Sequence, residues 1–435
     1  MGDLQQEATE LLRELIRFNT VNPPGNERAA QEWLGARFAE AGFEVELIGA
    51  EPERPNLIAR LRGDGPGPTL CLSSHVDTVL ASAHEWTHDP WSGDLADGFV
   101  WGRGALDMKS QTACEAAAAL SLARGGWRPK GELLVVVLVD EETGGALGAQ
   151  WITREHPDKV RCDLFLNEGG GKVIEYDGRR LYPLGCGEKG VFRFSVITEG
   201  VAGHASIPKI GVNALLKMGP VLDRLGASQP SYDLTEDARA LLVALTDGGE
   251  VGQFDATVAL DRVRSIDPEL AIIVEAMLGV TLTPTRIRAS EKVNVIPSQA
   301  VLEVDCRVPP GLGEEQARVR IEEVLGSDGH RIEFINQVVG NRSPFVTTFS
   351  AAIGDWLGEQ DPGCEVVPFV LPGFTDSRYF RAAFPDLVAY GFFPHRHMTM
   401  GEASPLIHSA DERIDVRDLG FAATFFRDIS LRMLS

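Results

Sequence analysis

Two periodicities alternate along the first 186 residues. Leu4 to Phe18 and Glu27 to Ala41 carry apolar residues at helical spacing, and Lys109 to Ala123 reads as an Ala-rich helix. Phe43 to Ile48, Asn56 to Leu61, Thr69 to Ser73, Leu133 to Val139 and Asp163 to Leu166 read as strands, with one more helix over Ala146 to Arg154. Runs as unbroken as Leu133 to Val139 suit parallel strands covered on both faces. The alternation predicts an α/β domain, a mainly parallel mixed sheet with helices on both sides.

The rhythm changes at Gly185-Cys186-Gly187-Glu188-Lys189-Gly190. Strand Val191 to Thr198, helix Val212 to Leu225, strands Thr283 to Ala289 and Ala300 to Arg307, helix Glu314 to Leu325 and strand Arg331 to Asn336 then follow. That β-α-β-β-α-β order predicts a ferredoxin-like α+β domain. Residues 226–282 interrupt it with two short helical patterns, Glu236 to Leu245 and Pro268 to Leu278. From about residue 341 helix and strand return, including Asp386 to Gly391. The expected division is one domain from 1–186 and 341–435, with 187–340 inserted into it. No internal repeat or low-complexity tract is visible.

Composition narrows the function. A chain of 435 residues with 44% hydrophobic content allows a large core, more naturally two domains than one. A net charge of -22 argues against nucleic acid or an anionic membrane as partner. No apolar run reaches the length of about eighteen residues that a membrane helix needs. Met1 to Thr20 mixes Glu and Arg with Leu and Ile, unlike a signal peptide, and Gln6 stands where a myristoylation signal has Ser or Thr. The six cysteines show no C-x-x-C pair, so reduced, mostly buried thiols in a cytoplasmic protein are expected.

Two motifs match by letter and fail by context, and two more carry only part of a pattern. His84-Glu85-Trp86-Thr87-His88 fits H-E-x-x-H, which binds metal only on a helix, but Asp89-Pro90 follows at once and no amphipathic pattern supports one. Gly185-x-Gly187-x-x-Gly190 precedes a strand where a dinucleotide fingerprint requires a helix, so a hinge is expected. Gly169-Gly170-Gly171-Lys172 lacks the spacing and hydroxyl of a phosphate loop. His395-x-His397 is expected in a solvated turn.

Five other segments each carry a metal-ligand residue type: Ser74-His75-Val76-Asp77, Leu106-Asp107-Met108, Asp140-Glu141-Glu142-Thr143, Leu166-Asn167-Glu168-Gly169 and Leu406-Ile407-His408. Three of them follow predicted strands, and open parallel sheets gather ligands beyond the carboxyl ends of their strands. Two carboxylates such as Glu141-Glu142 at the end of a buried strand cost desolvation unless a cation meets them. Two histidines and several carboxylates supply the inventory for two metals.

With these segments, Asn22-Pro23-Pro24-Gly25, residues 101–109, Gly203-His204-Ala205-Ser206, Asn294-Val295-Ile296-Pro297, Asp305-Cys306-Arg307 and Thr375-Asp376-Ser377-Arg378, the chain resembles the zinc aminoacylase/carboxypeptidase superfamily over nearly its whole length. The resemblance implies a di-zinc exopeptidase-like catalytic domain with an inserted lid and dimerisation domain. It implies that Asp107 bridges two divalent ions, zinc before cobalt or manganese, with Glu142 and His408 on one and His75 and Glu168 on the other. Asp77 would orient His75, and Glu141 would be the general base. His204 would stabilise the oxyanion from the neighbouring subunit of a homodimer, while Asn294 and Arg307 would take the substrate's carboxylate. A cis peptide is implied at Asp107-Met108. The expected activity is hydrolysis of the amide bond of an N-acyl amino acid or short peptide with a free carboxylate. The alternatives are a dinuclear phosphoesterase, against which one Arg and one Asn rather than a basic cluster argue, and a binding protein without turnover, against which the intact Glu141 argues.

Overall fold

A computed structural model describes residues 2–246 and 255–435, in two compact units. The first comprises 1–186, 343–369 and 375–435, and the second 187–342 and 370–374.

The first unit is built on the large sheet. Its centre is four parallel neighbours in the order Lys130–Leu138, Gly65–His75, Leu164–Asn167 and Val388–Gly391. Asn56–Arg62 and Glu44–Ile48 extend one side antiparallel, and Arg179–Glu188 runs antiparallel to Val388–Gly391 on the other. The apolar runs split between two cores as period-two alternation demands. Leu133, Val135 and Val137 face one cluster, while Leu134, Val136 and Leu138 face another. Leu70 and Leu72 likewise oppose Cys71.

Three long helices cover the first face: Gly2–Arg17, Lys109–Arg124 and Val416–Leu434. Small residues let them approach closely. Lys109–Arg124 is buried almost all round, and a Cβ on Gly420 would stand 2.8 Å from Gln5 Cβ. Trp356 is fully buried here, its ring 4.9 Å from Phe421 and 5.1 Å from Phe425, with its Nε1 donating to Asp428 at 3.1 Å.

The second unit carries an antiparallel sheet in which Gln299–Val308 pairs with Gly190–Val191, Phe194–Glu199 and Thr281–Arg288, and Arg331–Phe334 pairs with Phe194–Glu199. Helices Ala214–Ala227 and Glu314–Leu325 share one apolar core with it.

Several details differ from the sequence reading. The helix placed at Ala146 starts only at Ala149, because Gly144 and Gly145 take positive φ and the Asp140 carboxylate holds the Leu147 N–H at 2.9 Å. The insertion has a third helix, Ala256–Ile266, capped by Asp255 and burying Ala256, Ala259, Leu260 and Val263. Part of that insertion, residues 247–254, lies outside the described residues. His395 is not in a solvated turn: it is fully buried, and only His397 is exposed. Its chain continues the sheet edge, with the His395 N–H donating to Gly171 O at 3.0 Å and its carbonyl accepting from Val173 at 3.1 Å.

Five of the six cysteines are buried and all are free. Among the described residues no helix is long and apolar enough to cross a membrane. Trp356→Ala is expected to lower stability by about 3–5 kcal/mol, read as a shifted denaturation midpoint; a midpoint within error of wild type would show that this core closes without the ring.

Candidate metal centre

Neighbouring parallel strands deliver the acids and the first histidine to one rim. His75 ends its strand, Glu168 follows Asn167 directly, and Glu141 and Glu142 sit in the short turn after Lys130–Leu138. Asp107 precedes helix Lys109–Arg124 across a cis Asp107-Met108 bond, and His408 arrives on a loop with φ of 61°. The two oxygens of Asp107 face different histidines. His75 Nε2 is 3.2 Å from Oδ1, and His408 Nε2 is 3.1 Å from Oδ2. His408 Nε2 also stands 3.2 Å from Glu142 Oε2, while Glu168 Oε1 lies 3.8 Å and Glu141 Oε2 4.0 Å from His75 Nε2.

The loop carrying Asp107 is fixed by an acid that the sequence reading did not single out. Glu412 is completely buried. Its Oε1 accepts the Leu106 and Asp107 N–H groups at 2.6 and 3.0 Å, and its Oε2 accepts Gly104 N–H at 3.1 Å and Arg103 at 2.6 Å. Four donors on one carboxylate leave Asp107 little freedom.

Asp77 ties the other side together. Its carboxylate accepts the N–H groups of Glu141 and Glu142, both at 3.2 Å, and Asn22 Nδ2 at 2.9 Å. The nearest acceptor to His75 Nδ1 is the Asp77 main-chain carbonyl at 3.1 Å, with the carboxylate at 3.5 Å. A carbonyl only accepts, so Nδ1 holds a hydrogen, and Nε2 is the ring nitrogen that faces Asp107. Asn22 Nδ2 also reaches Asp140 Oδ1 at 3.1 Å, which Arg54 meets at 3.2 Å, and Arg54 pairs with the buried Glu27. Asp140 itself holds a left-handed backbone with φ of 70°.

This geometry fits a pair of cations. Nε2 of His75 and Oε1 of Glu142 are buried without a hydrogen-bond partner. Ligands arranged tetrahedrally at 2.0–2.1 Å from a zinc ion lie about 3.3 Å apart, close to the separations around Asp107. His75, Asp107 and Glu142 form one group of ligand atoms, and His75, Glu141 and Glu168 another. The titration directions carry the same message. Burial, then the Asp107 carboxylate, pushes Glu168 up to about 8, and burial and Glu168 raise Glu141 well above the ordinary range. Hydrogen bonds to Asp107 and Glu142 lift His408 to about 10. Burial opposes a charge on His75 and on Asp107, yet contact with Asp107 raises the first, and hydrogen bonds from His408 and His75 lower the second. Where protons crowd in this way, a divalent ion can replace them.

His204, Asn294 and Arg307 belong to the second unit. His204 is exposed, and its Nδ1 accepts the Ser206 N–H at 3.2 Å beside the Ser206 hydroxyl at 2.7 Å. An N–H can only donate, so Nε2 bears the hydrogen and is a donor. Asn294 is exposed. The Arg307 Nε donates to Asp305 Oδ1 at 2.7 Å and its guanidinium lies 5.6 Å from the Phe374 ring centre, with one buried nitrogen, Nη1, unpartnered. His84 and His88 share no helix face: a three-residue turn ends at Glu85, and His88 packs on Trp101 and meets Asp94 at 3.2 Å.

Two outcomes are expected from metal titration. His84→Ala/His88→Ala keeps the wild-type metal content, whereas Glu412→Gln weakens metal affinity about 10–100-fold by loosening the Asp107 loop. Loss of metal in the first variant, or none in the second, would reverse these assignments.

Comparison with known proteins identifies the family. The family model described as peptidase family M20/M25/M40 matches residues 71–432. A succinyl-diaminopimelate desuccinylase of Methylocella silvestris is 29% identical, covering 99% of this chain and 98% of the relative. One from Cereibacter sphaeroides strain KD131 is 31% identical, covering 93% of each. In fold, an M20 family metallo-carboxypeptidase of Sulfolobus solfataricus superposes with a TM-score of 0.73 at 16% identity, covering 98% of both chains. Human carnosine dipeptidase 1 gives 0.68 at 15% identity, covering 98% of this chain and 96% of that one. The chain therefore belongs to peptidase family M20/M25/M40 and is a metallo-amidohydrolase.

Proposed function

We propose that this enzyme hydrolyses the amide bond of an N-acyl amino acid whose leaving amine keeps a free α-carboxylate, using two divalent ions, zinc foremost. The observation that carries the reading is the Asp107 carboxylate, with one oxygen toward His75 and the other toward His408. The relatives named succinyl-diaminopimelate desuccinylase support the acyl amino acid class. On this reading His75 and Glu168 would hold one ion and Glu142 and His408 the other, with Asp107 available to both. Bound there, the two ions would polarise the scissile carbonyl and acidify a water.

The protein's own groups do the rest. Glu141, raised by burial, takes a proton as the water oxygen adds to the acyl carbon, then returns it to the amine nitrogen as the C–N bond breaks. Asp77 holds Glu141 and Glu142 through their N–H groups. His204, as an Nε2 donor, is suited to steady the oxyanion, by the family resemblance from the second subunit of a homodimer. Arg307, with Nη1 unpartnered, and Asn294 take the α-carboxylate. A cytoplasmic location completes the proposal.

The test is a turnover screen of acylated amino acids, dipeptides and phosphate esters with metal content quantified. Wild type is expected to turn over acylated amino acids. Glu141→Gln is expected to retain two metals and lose about 10²–10⁴ in kcat. Activity confined to phosphate esters, or a Glu141→Gln enzyme as fast as wild type, would overturn the reading. Arg307→Ala is expected to raise KM for acyl amino acids while leaving the corresponding acyl amides, which lack the carboxylate, unchanged; equal effects on both would remove Arg307 from that role.

A further inference from the structure

Beyond the carboxyl ends of strands Leu164–Asn167 and Val388–Gly391, the two chains stay paired. Phe392 N–H donates to Asn167 O at 2.7 Å, Phe393 N–H to Gly170 O at 3.0 Å, and a parallel bridge sets Lys172 beside His395. The three intervening glycines permit this close run: a Cβ on Gly171 would stand 2.5 Å from the Phe393 carbonyl, and its φ is +91°. Two basic side chains are thereby placed next to each other on the rim that carries Glu168.

Neither has a partner. Lys172 is part-buried, and its ammonium makes no hydrogen bond or ion pair among the described residues. His395 is fully buried, its ring edge on Phe393 at 4.8 Å between centres, and both ring nitrogens lack a hydrogen-bond partner. Burial lowers Lys172 from the ordinary lysine value, and the Asp107 and Glu168 carboxylates work against that. Those are the two carboxylates that metal ions would engage, which leaves the ammonium with less counter-charge in the working enzyme. The fully buried lysines are provided for: Lys109 donates to Leu15 O and Phe18 O, and Lys189 to Ala276 O and Gly279 O. A part-buried ammonium without a protein partner of its own is open to an anionic ligand.

We infer that Lys172, backed by His395, forms a subsite for a second substrate carboxylate, carried at the far end of the acyl chain. The inference rests on the proposed acyl amino acid hydrolysis and narrows its substrate class to dicarboxylic acyl groups. The α-carboxylate of the leaving amine is assigned to Arg307 and Asn294, which leaves the acyl side for the cation next to Glu168.

The test compares wild type and Lys172→Met, both zinc-loaded, on N-succinyl-alanine against N-butyryl-alanine and on N-acetyl-glutamate against N-acetyl-norvaline. Lys172→Met is expected to cut kcat/KM on the succinyl substrate by about 30-fold or more and to change the other three by less than about threefold. Equal losses on all four, no loss, or a loss confined to N-acetyl-glutamate would overturn the subsite. Dissociation constants for the two acyl-alanines in Glu141→Gln, with and without Lys172→Met, give a readout independent of turnover: the same preference and its loss are expected. If wild type cleaves none of the substrates, the hydrolase reading falls, and these constants still decide whether Lys172 reads a carboxylate. Lys172→Met removes an unpaired charge, so its melting temperature is expected to be no lower than that of wild type.

Discussion

Placing one part-buried carboxylate between two imidazoles, with three further carboxylates around them, concentrates negative charge at the edge of an apolar sheet. Asp107 sits at its middle, 3.2 and 3.1 Å from His75 and His408. Such an assembly is unfavourable without cations, because each acid loses water and gains like-charged neighbours. The surrounding structure is arranged to keep it from relaxing. Glu412 immobilises the Asp107 loop through three N–H groups and Arg103, and Asp77 fixes the turn that carries Glu141 and Glu142.

A second layer stands behind those contacts. Asn22 joins Asp77 to Asp140, Asp140 joins Arg54, and Arg54 joins Glu27. The chain of charge-assisted bonds runs from the candidate metal site into the core, where every member is buried. A turn whose first residue holds a left-handed backbone needs such support, since Asp140 accepts from Asn22, Arg54, Thr143 and the Leu147 N–H together. Catalytic geometry here is supplied by second partners as much as by the groups that face the substrate.

Much of this could be read in the residues. The apolar runs at Leu133 to Val139 and Thr69 to Ser73 became central parallel strands, and the β-α-β-β-α-β order of the second unit is present. The strand ends that carry His75, Glu142 and Glu168 are visible as pattern breaks, whereas Asp107 and His408 follow no strand and rest on the family resemblance. What escaped has physical reasons. Glu412 lies in Asp411-Glu412-Arg413, which looks like solvated charge, and only the fold shows that it accepts four donors. Helix Ala256–Ile266 buries Ala256, Ala259, Leu260 and Val263 at i, i+3, i+4 and i+7, a helical spacing that the residues do carry. His395 lies inside and not in a solvated turn because pairing with Gly171 and Val173, invisible in the local sequence, carries its ring there.

The central claim is that Asp107 is shared between two cations. Anomalous diffraction at the zinc edge, from crystals of the zinc-loaded enzyme, addresses it directly. Two peaks about 3.5–4 Å apart are expected, one beside His75 and Glu168 and one beside His408 and Glu142, with an Asp107 oxygen on each. A single peak, or two peaks with Asp107 turned away from both, would contradict it.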